Sequence, residues 1–210
     1  MKVLFIEGKS KAKQEDYFID SGFINKLPDR VFLAYLAQFK GQANAMKKAI
    51  EKSGREIAGF QQVLGCTKLS VPQQIILIGN GSFHALNLAM QNKLPILLYS
   101  NGSSRLIGEK DIAELKKKKQ AALSTFFASK NIGIIVSTKP RQENLKLAEE
   151  VKQKINAKYP EKQVFFFISN TINIAELENF DIDFWINTAC PRISEDSRKI
   201  LNPDDISEFL

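Results

Sequence analysis

Short unbroken apolar runs recur along this chain, each bounded by glycine, proline or a polar cluster: Val3–Ile6, Val31–Leu36, Gln74–Ile78, Pro95–Tyr99, Ile132–Val136, Val164–Ile168 and the aromatic stretch that follows Asp183. Runs of this length and β-branched content read as strands buried on both faces, which is the habit of parallel sheets. Between them the apolar spacing changes to that of helices. Gly41 to Ser53 places Ala43, Met46, Ala49 and Ile50 on one face and stops at Gly54. Further helices are predicted over His84–Asn92, Glu109–Ser129 and Gln142–Ala157, the last with Leu145, Leu147, Ala148, Val151 and Ile155 turned inward, and a short one over Asn173–Asn179. Another short strand precedes Cys66, Lys9 to Pro28 carries no assignable pattern, and the strand before Cys190 closes the set. Asn202 followed by Pro203 reads as a capped helix start. The strand–helix alternation runs to about Ser129 and restarts at Ile132. The expected fold is therefore α/β, two consecutive Rossmann-like parallel-sheet domains with flanking helices, residues 1–129 and 130–210.

Composition narrows this only a little. The chain has 210 residues, enough for one or two α/β units, and its 44% hydrophobic and 25% charged content is ordinary for a folded protein. No apolar run approaches the roughly 20 residues of a membrane span, and Met1-Lys2 leads straight into strand-like Val3–Ile6 with no secretory pattern, so a cytoplasmic location is expected. A net charge of +7, from 30 Lys and Arg against 23 Asp and Glu, favours an acidic or nucleic-acid-bearing partner without naming one. The densest basic run, Lys116 to Lys119, falls in a helical segment whose Ile112, Leu115, Leu123, Phe126 and Phe127 lie near one face, and reads as a solvated flank.

Candidate chemistry gathers at the turns. In Asp183-Phe184-Trp185-Ile186-Asn187-Thr188-Ala189-Cys190-Pro191-Arg192 the strand must end near the proline, so Cys190 stands at a carboxyl strand end, where open α/β sheets bind ligands. Cys66 likewise follows a short apolar run and a glycine. Two cysteines do not make a disulfide framework in such a chain, leaving buried structural thiols or metal ligands as the choices. Their wide separation fits no zinc-finger spacing, and with His84 as the single histidine at most three soft ligands are available. Gly79-Asn80-Gly81 has part of the dinucleotide fingerprint, but His84 stands where the third glycine belongs, which argues against NAD. Ser137-Thr138-Lys139-Pro140-Arg141-Gln142 joins strand to helix and either offers an anion site with hydroxyls and two cations, or is a plain cap by Ser137 or Thr138.

In order, Val63-Leu64-Gly65-Cys66-Thr67, Ile78-Gly79-Asn80-Gly81-Ser82-Phe83-His84, Val136 to Gln142 and Asn187 to Arg192 together resemble the diphthamide synthase family, the 2-(3-amino-3-carboxypropyl)histidine synthases. The resemblance implies a radical enzyme of three similar α/β domains, each giving one cysteine to a 4Fe-4S cluster. Such an enzyme cleaves S-adenosylmethionine and transfers its 3-amino-3-carboxypropyl group to a histidine of translation elongation factor 2, the first step of diphthamide formation. It covers the family's second domain, residues 1–129 with Cys66, and its third, residues 130–210 with Cys190. The family's first domain, with its cysteine, is absent from the match. Cys66 and Cys190 correspond to cluster ligands, Arg192 to a group pairing with the cofactor carboxylate and Gln142 to a hydrogen-bonding contact at a helix start. The resemblance assigns His84 no role; as the single histidine, at a helix start, it reads as structural rather than catalytic.

The family works as dimers, homodimers in archaea and heterodimers in eukaryotes, so a separate chain carrying the first domain is the expected source of the third thiolate, and no direct nucleic-acid binding is expected. Two residues depart from the family pattern: Arg141, where a glycine usually precedes the glutamine, and Ser82, where an arginine usually precedes Phe-His. Two other readings stand beside the enzyme: an accessory subunit, carrying a cluster for electron delivery or completing a dimer, and a metal-free protein docking through its basic surface.

Overall fold

The computed structural model describes residues 17, 19–100, 102–195 and 197–210. The strand expected at Val3–Ile6 lies outside them. Two compact units divide between Ala113 and Glu114, inside a long helix, where the sequence places the boundary after that helix.

In the first unit, α1 (Ser21–Asn25), β1 (Arg30–Tyr35), α2 (Lys40–Lys52), β2 (Glu56–Gln62), β3 (Gln74–Ile78), α3 (Phe83–Gln91), β4 (Ile96–Ser100) and β5 (Ser103–Ile107) build a five-stranded sheet of order β2-β1-β3-β4-β5. The first four strands in that order pair in parallel, and β5 returns antiparallel along β4. The continuous runs became interior strands because both faces are covered. Val31, Leu33, Ile76 and Ile78 pack with Ala43, Met46 and Ile50 of α2 on one side. Ala34, Ile75, Leu77 and Ile96 pack with Ala85, Leu88 and Ala89 of α3 on the other. Helix α2 stops at Gly54, whose φ of 80° is a backbone state that glycine adopts at no steric cost. Within the stretch that carried no pattern, the Asp20 carboxylate accepts from the N–H groups of Gly22 and Phe23 and starts α1.

The long helix α4 (Glu109–Ala128) carries the division. After it, β6 (Asn131–Ser137), α5 (Leu145–Lys158), β7 (Gln163–Ser169), α6 (Ile174–Leu177), β8 (Phe184–Asn187), β9 (Ile200–Leu201) and α7 (Pro203–Ile206) form an all-parallel sheet of order β7-β6-β8-β9. The strand before Cys190 therefore does not close the set, because the two residues of β9 add to its outer edge. Ile132, Ile134, Val136, Phe184 and Ile186 meet Phe126, Ala148, Val151 and Ile155 in one core. The rings of Tyr159 and Phe184 stand edge-on to Phe126, both at 5.8 Å. A glycine is required at position 133, since a Cβ there would lie 2.3 Å from the indole of Trp185 on the paired strand. No helix among the described residues is long and apolar enough to cross a membrane.

Candidate functional site

Both sheets change winding direction at one point. In the first, β1 leads through α2 outward to β2, whereas β3 leads through α3 to β4 on the other side; in the second, β6 leads through α5 to β7 and the chain then crosses to β8. Such switch points open a crevice at the carboxyl ends of the strands flanking them. The four sequence motifs fall at carboxyl strand ends, two in each unit: those after β3, β6 and β8 flank a switch point, and the Cys66 turn, after the edge strand β2, reaches across to the start of α3.

In the first unit, β2 gives way to Val63, whose N–H still donates to Tyr35. Leu64 to Thr67 then close a tight turn with Cys66 near its tip. Thr67 N–H donates to the Leu64 carbonyl at 3.0 Å, and Leu64 N–H donates to Thr67 Oγ1 at 2.7 Å. This turn rests on the start of α3. A Cβ at Gly65 would fall 2.4 Å from the Phe83 ring, and Asn87 Nδ2 donates to the Gly65 carbonyl at 3.1 Å. Cys66 is consequently held out from the fold, exposed and free of any disulfide. The neighbouring Gly79–His84 motif is thus a support for the thiol turn, with Phe83 as its floor. His84 stands edge-on to Phe83 at 5.0 Å, half-buried.

In the second unit, Ser137 and Thr138 do not cap a helix. Ser137 Oγ accepts from Lys139 N–H, and a turn over Lys139-Pro140-Arg141-Gln142 follows, closed by Gln142 N–H to the Lys139 carbonyl at 3.0 Å. Helix α5 consequently begins at Leu145, three residues past Gln142, and Asn144 stands at its cap. Arg141 has φ 68°, alone among the described non-glycine residues in the left-handed region. The sequence departure from glycine to arginine falls on a position whose backbone asks for glycine.

Next to this turn, Thr188 donates through N–H and Oγ1 to the Ile135 carbonyl at 3.0 and 2.8 Å, joining the end of β8 to β6. Cys190 follows three residues past the end of the strand, half-buried and free. A short 3-10 turn over Pro191–Glu195 carries Arg192, which pairs with Glu195 at 3.2 Å. Sequence reasoning missed the two asparagines that hold this segment. Asn187, 1% exposed, donates through Nδ2 to the Cys190 carbonyl at 2.9 Å and to Asn202 Oδ1 at 2.7 Å. Asn202 was legible only as a helix start. Its N–H does donate to Asp205 at 3.1 Å, and Asp205 in turn meets Lys119 at 2.5 Å. Lys119 is thus part of a half-buried pair, while Lys116 to Lys118 stay on the exposed flank.

The structure brings Gln142, Cys190 and Arg192 to one sheet edge of the second unit, and Cys66 with His84 to one edge of the first. Among the described residues, no three His, Cys, Asp or Glu side chains gather so as to hold a metal ion.

This architecture, with a cysteine turn at the carboxyl edge of each sheet, defines the class. The sequence pattern of the diphthamide synthesis proteins matches residues 1–203, and the chain belongs to that family. Among relatives, the 2-(3-amino-3-carboxypropyl)histidine synthase of Pyrococcus horikoshii is 27% identical over 209 residues, covering 90% of this chain and 59% of the relative. Subunit 1 of the synthase from Schizosaccharomyces pombe is 29% identical over 218 residues, covering 93% of this chain and 49% of the relative. The crystal structure of Dph2 from Pyrococcus horikoshii with a 4Fe-4S cluster aligns with a TM-score of 0.77 at 26% identity, over 89% of this chain and 58% of that one. The chain therefore spans three-fifths or less of the length of these relatives.

Proposed function

We propose that this chain is part of a 2-(3-amino-3-carboxypropyl)histidine synthase, transferring the 3-amino-3-carboxypropyl group of S-adenosylmethionine to a histidine of elongation factor 2 in the first step of diphthamide biosynthesis. The observation that carries the reading is the placement of its two cysteines. Both are free, and each stands in a hydrogen-bonded turn past the carboxyl end of a parallel strand, inside a motif that resembles the family's. The donor set fits an iron-sulfur cluster, which takes thiolates. Cys66 and Cys190 would each give one ligand, and a partner chain carrying the family's first domain would give another. The relatives named subunit 1 support a shared assembly of this kind. When bound, a 4Fe-4S cluster with three thiolates leaves one iron open and supplies the electron that cleaves S-adenosylmethionine.

The chain's own residues would bind and orient. Arg192 presents a planar two-pronged donor two residues past the thiol, and its pair with Glu195 is half exposed, worth about 1 kcal/mol or less. A substrate carboxylate that takes both prongs would displace so weak a pair. Gln142, with its backbone fixed by the Lys139 turn and its side chain exposed, adds an amide contact. The setting is cytoplasmic, with the translation factor as substrate.

The test is anaerobic transfer of labelled 3-amino-3-carboxypropyl to elongation factor 2 by this chain with its first-domain partner, scored together with release of methylthioadenosine. Label should appear with the unaltered chain and vanish with Cys190→Ala or with a factor lacking the target histidine. Full transfer by Cys190→Ala leaves the chain as an accessory subunit.

A further inference from the structure

We infer that Asn187 and Asn202 are positioning residues for Cys190, a linked amide pair that fixes the backbone around this thiol in the orientation a ligand requires. The inference rests on the reading of Cys190 as a cluster ligand only for its purpose; the geometry stands by itself.

The polar backbone groups next to the thiol are tied inward by side chains. Ala189 N–H donates to Asn187 Oδ1 at 3.1 Å. The Cys190 carbonyl accepts from Asn187 Nδ2 at 2.9 Å and from Ile193 N–H at 3.0 Å. The Pro191 carbonyl accepts from Asn202 Nδ2 at 3.3 Å and from Ser194 Oγ at 2.9 Å. The two amides are joined to each other, Asn187 Nδ2 donating to Asn202 Oδ1 at 2.7 Å. Asn202 Nδ2 also meets Ser194 Oγ at 2.8 Å.

An amide has two donor hydrogens and an acceptor oxygen, and all three kinds of contact are used at both residues. The orientation of each amide is fixed by this chemistry, because turning Asn187 over would set its oxygen against the oxygens of Cys190 and Asn202. No hydrophobic or charged side chain can replace that set. The network is anchored at its far end, since Asn202 N–H binds Asp205, whose carboxylate is held by Lys119 of α4. Two points eleven residues apart along the loop, at Pro191 and Asn202, are thereby held to one frame, and the Cys190 backbone, between the tied Ala189 N–H and the tied carbonyls of Cys190 and Pro191, cannot shift without breaking several bonds. A metal cluster binds most readily to thiolates already set in place, which is the value of such a second layer around a ligand.

The experiment uses the full chain, folded and well below its unfolding temperature, and follows alkylation of Cys190 and Cys66 by iodoacetamide in the same tube by mass spectrometry. Cys66, in the other unit, is the internal reference. In Asn202→Ala the Cys190 to Cys66 labelling ratio should rise about threefold or more as the half-buried thiol is released, following thiol access. Asn202→Asp keeps the oxygen that receives Asn187 and should recover part of the difference. Asn173→Ala, which removes a helix cap elsewhere in the same unit, should leave the ratio unchanged. A ratio that stays at the wild-type value in both Asn202 variants overturns the inference, as does an equal rise at both thiols, which would mean general loosening. Iron retention by Cys190→Ser with the partner chain present tests the cluster reading separately: iron bound as tightly as in the unaltered chain removes that reading while leaving the labelling result to stand.

Discussion

At the scale of single residues, the most telling position is Arg141. Its φ of 68° costs a side-chain-bearing residue about 1 kcal/mol, because Cβ crowds the following carbonyl. Arg141→Gly removes that strain but enlarges the conformational freedom of the unfolded chain, and the strain term is the larger. The substitution should therefore stabilise the protein by about 0.5 kcal/mol, seen as a higher urea midpoint with unchanged slope. A lower midpoint would mean that the arginine side chain contributes more than its backbone costs. At Arg192 the expectation concerns binding. Arg192→Lys keeps the charge but loses the planar two-pronged contact, so affinity for S-adenosylmethionine in the cluster-loaded complex should fall about tenfold, roughly 1.4 kcal/mol, by calorimetry. Unchanged affinity takes Arg192 out of the site.

At the scale of elements, two charged side chains finish what helices and strands leave unsatisfied. Lys162, 6% exposed, points its ammonium at the carbonyls of Phe126, Phe127 and Ser129 at the end of α4, and burial lowers its pKa from the usual lysine value. Lys162→Met keeps the length but leaves those carbonyls without their donor, so the second unit should lose about 2 kcal/mol in denaturant unfolding. Asp183 accepts from the N–H groups of Lys130 and Asn131, both at 2.9 Å, where β6 begins. Those two bonds hold its pKa below the ordinary 3.8. A depressed carboxylate pKa gives stability that is complete above the unfolded value and is lost as pH falls through the folded one. Asp183→Asn should flatten the acid limb of stability against pH, below the ordinary carboxylate value, and a limb identical to wild type would deny Asp183 that role.

The same elements show how far a sequence carries. Interior strands such as Gln74–Ile78 were legible because burial on both faces forces continuous apolar residues. The β5 strand was not, because Ser103 to Leu106 are exposed and antiparallel pairing on an edge asks nothing of their side chains. Both thiol turns could be placed from proline and glycine alone. The sequence places the start of α5 three residues early, since Ser137 and Thr138 have cap chemistry and only the tertiary structure shows that Ser137 spends it on a turn. Lys162 and Asn187 were illegible for a related reason: lysine and asparagine read as surface residues, and nothing local tells which of them will be called inward to satisfy another segment's backbone.

At the scale of the whole molecule, the two units divide the chemistry, with one thiol on each. The indole that makes glycine obligatory at position 133 is the chain's single tryptophan, 4% exposed and on the strand that runs into the Cys190 turn. Trp185 therefore makes one unit optically visible and leaves the other dark. Tryptophan emission will follow melting of the Cys190 unit alone, whereas far-ultraviolet dichroism sums both. If the units melt as independent bodies the two signals will give different midpoints, and coincident midpoints would mean that the chain unfolds as one cooperative body.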